Sequence, residues 1–96
     1  MAYYTPENGD TIHIGGGTVV IRPVSPLLSL TISLEILNAA ETDALFSIFF
    51  IGTITALNWE VSPGNILVGN PSTIVGSRGL IFIPTNSSIY PAWCVF

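Results

Sequence analysis

His13 is the only imidazole in the chain and Cys94 the only thiol, and they stand near opposite ends of the sequence. A hydrolytic triad needs a nucleophile, a base and an orienting acid converging in space, and no Gly-x-Ser-x-Gly elbow is present to offer a serine. One histidine and one cysteine cannot make a His/Cys metal cluster, and a single thiol permits no intrachain disulfide. In "TIHI" (11–14) His13 reads as a strand-edge or interface side chain, and in "AWCVF" (92–96) Cys94 reads as a small core hydrophobe. Glu41 and Asp43 are close enough in sequence for acid–base work, but in the polar stretch "NAAETDAL" (38–45) they read as a solvated pair. No catalytic, cofactor-binding or metal-binding residue is expected, and the chain is read as a non-enzyme.

Two further motifs have bland readings. "GGGT" (15–18) leads into a strand pattern, whereas a phosphate-cradling glycine loop opens a helix whose N-terminus receives the anion. It is therefore expected to be a flexible joint. "NSS" (86–88) fits the N-glycosylation pattern and reads as a hairpin loop, because "MAYYTPENGD" has no basic stretch followed by an apolar one and no secretory signal is expected. Trp59, Tyr90 and Trp93 remain. At strand ends beside polar loops, such rings either stack on sugars and anchor protein contacts or seal the ends of a β-domain.

The elements that position these residues read as strands. "LLSLTISLEI" (27–36) sets Leu28, Leu30, Ile32, Leu34 and Ile36 against Ser29, Thr31, Ser33 and Glu35, the period of two of a half-buried antiparallel strand. "LFSIFFIGTITALNWEVSPG" (45–64) is greasy at its start, yet only sixteen residues separate Asp43 from Glu60, short of the about 20 apolar residues of a membrane helix. Its isoleucine, phenylalanine and threonine suit a pleated surface. Two strands, 44–51 and 53–59, are predicted, divided at Gly52 where a corner is cheap. Further strands are expected at 11–14, 17–23, 79–84 and 90–96, with turns at "VSPG", "GNPS", "GSRG" and "PTNSS". The predicted core includes Leu28, Leu30, Ile32, Leu34, Ile48, Phe50, Ile81 and Ile83. Residues 1–10 show no strand pattern and read as an N-terminal arm before a single β-domain, 11–96. The expected class is all-β, an antiparallel β-sandwich or small jelly-roll-like barrel.

Composition bounds the partners. Hydrophobic residues make up 49% of the chain and charged residues 8%, against roughly a quarter charged in an ordinary soluble domain. A chain this apolar is expected to cover part of its surface with other chains. With two arginines and no lysine it lacks the clustered cations that nucleic acid or an anionic membrane requires, and neither is an expected partner.

Read in series, Leu30–Leu37, Ile54–Pro63, Gly69–Pro71, Gly79–Ile83 and Tyr90–Trp93 give an alternating strand, a strand running into a tryptophan- and proline-bearing loop, a Gly-Asn-Pro turn, an "IFI" strand and a final aromatic strand. Over about two-thirds of the chain this resembles the small β-domain of bacteriophage tail fibres and related virion appendages. The resemblance implies a non-catalytic virion structural protein, commonly a homotrimer, located on the virion and present in the host cytoplasm during assembly. Without a fibre's long shaft or baseplate-anchoring region, the expected role is a capsid decoration or cement protein on the capsid exterior. Its partners would be its own copies and the major capsid protein or other virion proteins, with Tyr3, Tyr4 and Pro6 of the arm touching a capsid subunit or neighbouring protomer. The alternative is a tail-fibre or spike tip that holds a host-surface receptor or glycan through Trp59, Asn86 and Tyr90. An arm that proved to be a strand of its own sheet would put the alternative ahead.

Overall fold

A computed structural model of the chain describes residues 1–36, 39, 42–85 and 92–96. Nine strands appear in order: β1 (Ala2–Tyr4), β2 (Thr11–Ile14), β3 (Thr18–Ile21), β4 (Leu27–Leu34), β5 (Phe46–Ile51), β6 (Ile54–Val61), β7 (Leu67–Val68), β8 (Ser77–Pro84) and β9 (Trp93–Val95). No α-helix occurs among the described residues, and no helix there is long and apolar enough to cross a membrane. The all-β expectation therefore holds.

The first six strands alternate between two sheets. The large sheet has the order β1-β3-β5-β8-β9-β7 and the small sheet the order β2-β4-β6. Within the first six strands every ladder is parallel: β1 with β3, β3 with β5, β2 with β4 and β4 with β6. The chain thus winds as a flattened coil of three turns, each contributing one strand to each sheet. Parallel neighbours need a long crossover, and here the crossover is a strand of the opposite sheet. Only β8 runs antiparallel to its neighbours β5 and β9. This corrects the antiparallel expectation: alternation reports which face of a strand is buried and is silent on its neighbour's direction.

Three local features set the turns of the coil. Gly52 divides β5 from β6 as expected, with φ at +134° and the Pro23 ring packed beneath it, which sends the two strands to different sheets. Gly16 and Gly17, also at positive φ, carry the chain from β2 to β3, so "GGG" joins two sheets rather than an arm to a domain. The third is the 5–10 segment, whose turn closes when Asp10 N–H donates to Glu7 O and Glu7 N–H to Asp10 Oδ2. Gly9 N–H then reaches Ser29 O, and Leu28 N–H donates to Asn8 Oδ1 at 2.7 Å. Residues 1–10 are consequently built into the domain: β1 pairs with β3, Tyr4 packs on the core and Pro6 is buried. A three-residue strand is too short to show a period, which is why the sequence suggested an arm.

Between the sheets lies one core. Leu30, Ile32, Leu34, Ile48 and Phe50 are buried in it as predicted, together with Ile14, Ile21, Ile54, Ile74, Leu80 and Phe82. Phe82 stacks on Phe46 with centroids 4.4 Å apart, and Trp93 meets Phe46 edge-on at 5.0 Å. Leu28, Ile81 and Ile83 are instead exposed. In β8 the run Leu80-Ile81-Phe82-Ile83 is apolar throughout, so pattern alone could not choose a face, and Leu80 and Phe82 point inward. Leu28 falls where β4 bends, between inward Leu27 and Leu30; β6 bends in the same register between Ile54 and Leu57. The expectations for Glu41, for "NSS" and for the 84–89 loop beyond Thr85 fall outside the described residues.

Candidate interaction surface

The two outer faces differ sharply in chemistry. On the small sheet, Thr11, Thr31 and Asn58 stand in one row and His13, Ser33 and Glu60 in the next. His13 is exposed, and its Nδ1–H donates to Glu35 Oε1 at 2.5 Å across the same surface. It stands on β2, the edge strand of the small sheet, as the strand-edge reading expected. Threonine, serine and a histidine–carboxylate pair make this a hydrated face.

On the large sheet the outward rows are largely apolar, with Thr18 and Ser47 the hydroxyls among them. Register aligns Tyr3, Val20, Phe49 and Gly79. The next row holds Thr18, Ser47 and Ile81, continued by Phe96, which exchanges two backbone hydrogen bonds of 3.0 Å with Ile81. A third row runs Ile83, Cys94, Val68. Cys94 accordingly lies half-exposed on this face between inward Trp93 and Val95, a correction to its expected place in the core. The Phe49 ring crosses Gly79, where an added Cβ would sit 2.9 Å from it. It forms a ridge with one shallow groove beside Val20, Ile51 and Ser77, and another between Thr18, Leu45 and Ile81.

Two of the three aromatic candidates pack on the body. Trp59 is half-buried and lies edge-on to Phe50 at 6.5 Å and tilted to Phe82 at 5.7 Å, while its Nε1–H donates to Pro71 O at 2.7 Å. Trp93 is buried. Both therefore pack on the body, and the Trp59 N–H is committed to Pro71 O while part of its ring stays at the surface. Asn86 and Tyr90 lie outside the described residues. Of the arm residues, Tyr3 alone presents its ring to solvent.

Sequence reasoning passed over the two ends of the coil. Among the described residues β1 and β2 each pair on one edge only, so the N-terminal end is open in both sheets. Tyr4, Pro6, Asp10, Ile12 and His13 frame a groove there. The opposite end is covered in the small sheet and short in the large one, whose last strand β7 has two residues. Beyond β5 the large sheet continues through β8, β9 and β7, and the free edge of β6 is covered by residues 71–76. Ile74 and Ile54 exchange backbone bonds of 2.9 and 2.8 Å, Leu57 N–H donates to Ser72 O, and Thr73 Oγ1 donates to Thr55 O. The "SPGN" turn locks the same end, with Ser62 Oγ bridging Leu34 O and Ile36 N–H and buried Asn65 accepting from Ala39 N–H.

Among the described residues no group of three His, Cys, Asp or Glu side chains is placed to hold a metal ion. The hollow beside the glycine turn, between Gly16, Ile36, Thr42 and Trp93, has a volume of about 160 Å³, below the several hundred Å³ of an ordinary ligand pocket, whereas the groove framed by Tyr4, Pro6 and His13 reaches about 410 Å³. What the geometry offers is surface: an apolar plate, a polar plate and one open strand end. Comparison with protein-family models, curated proteins and solved structures finds no match to this chain.

Proposed function

We propose that this chain is a virion structural module of the appendage type, the end piece of a fibre or spike that meets a host-surface receptor or glycan. Its body is a two-layer β-sandwich wound as a coil. The inequality of the coil's ends carries the reading: β1 and β2 offer unpaired edges at one end, while at the other residues 71–76 cover the edge of β6 and the large sheet tapers through β8 and β9 to the two-residue β7. A shaft segment would need both ends open to continue; a tip needs one. The same observation weakens the cement reading, because the arm meant to clamp a neighbour is a strand of the chain's own sheet.

The polar plate is the side suited to hydroxyl-bearing ligands, since the Thr31–Asn58 and Ser33–Glu60 rows present donors and acceptors at strand spacing. No step of this role requires bond chemistry. Antibody labelling of intact particles tests it, with a few copies at the tail expected. Copies spread over the capsid lattice would return the chain to the decoration role, and absence from particles would end both.

A further inference from the structure

We infer that the outer face of the large sheet is where copies of this chain pack against one another. The argument does not depend on the virion role. A fully exposed aromatic side chain presents about 200 Å², so Tyr3, Phe49 and Phe96, at 72%, 43% and 68% exposure, supply roughly 370 Å² of apolar surface. Ile51, Val68, Ile81 and Ile83, also exposed, carry the plate beyond what most monomers leave in one patch. That brings it toward the roughly 800 Å² each partner contributes to a standard interface.

Charge selects the occupant. The net charge is −4, which opposes an anionic lipid surface, yet the plate's rows contain no acid. Glu7 and Asp10 sit in the β1–β2 turn, Asp43 in the segment before β5, and Glu35 and Glu60 with the small sheet. Two such plates meet without apposing carboxylates, the groove beside Phe49 being bordered instead by Arg78. Relief supplies a ridge and a hollow on one face, Phe49 beside the groove at Val20 and Ile51 and a second hollow between Thr18, Leu45 and Ile81, the two elements that a two-fold contact can interlock.

Light scattering and sedimentation of the full chain at micromolar concentration should show an oligomer. Phe49→Lys and Ile81→Lys, both at outward positions, should each weaken association at least about 30-fold with an unchanged far-ultraviolet spectrum, whereas Asn58→Lys on the polar plate should leave it intact. Cys94, on the plate, gives a readout that needs no substitution: its alkylation rate should rise when the wild-type protein is diluted. A monomeric wild-type chain overturns the inference, even if lipid vesicles or a different protein then prove to cover the plate. So does an oligomer that Ile81→Lys leaves undiminished, or a Cys94 rate independent of concentration.

Discussion

Trp59 shows how a single side chain was legible in kind and not in direction. Its position beside a Ser-Pro-Gly turn marked it as a strand-end ring, but only the fold sends the indole inward and commits its N–H to Pro71 O. Trp59→Phe keeps the ring contacts and strands that carbonyl, at a cost of about 1 kcal/mol in a denaturant titration. Trp59→Ala should cost about 2–4 kcal/mol, because the site is half-buried against Phe50 and Phe82. Gly69 is constrained twice, by a φ of +87° and by Val95 O lying 2.8 Å from where a Cβ would stand. Gly69→Ala should lower the unfolding free energy by about 2 kcal/mol or more, whereas the exposed Gly9, with open space around it, should lose less. Equal losses would show that the approach of Gly69 to β9 is not a constraint.

At the level of strands, β8 gives the sharpest test of the observed facing. Leu80→Ala should destabilise by about 2–5 kcal/mol at any protein concentration, as truncations of buried leucine do, while Ile81→Ala should act through association alone. Thermal unfolding at two concentrations separates them, since only an association effect depends on concentration. The positions of β2, β3, β4, β5, β6 and β8 could be read because each has a turn signal at its border or a clean alternation, with Gly52 the clearest. Their partners could not. Parallel and antiparallel ladders use the same period of two, and the connections that reveal a coil are spread over residues close only in space. β1 and β7 are shorter than any detectable period. Because β1 and its turn cover the edge of β3 and hold Leu28 N–H, deletion of residues 2–10 should broaden the unfolding transition and lower its midpoint, with faster amide exchange in β3. A truncated chain of unchanged stability would mean that the first turn of the coil contributes nothing.

For the whole molecule, the low charge and high apolar content led to the expectation of neighbours without saying where they would sit. The proposed packing of copies puts them on the apolar face of the large sheet rather than the polar face of the small one. Far-ultraviolet spectra should show strand with no helical minimum, in oligomer and in the Phe49→Lys variant alike. The unequal ends carry a last consequence, for filament growth. An exposed strand edge recruits others, and runaway polymerisation requires that each added copy present a fresh edge at its far side. Here residues 71–76 and the two-residue β7 leave little edge to present. Copies meeting through β1 and β2 join open end to open end, and the pair so formed has used up both of those edges. The hydrogen bonds that finish the coil thus act as a terminator for growth strand by strand along the small sheet, since they leave β6 no free edge to offer.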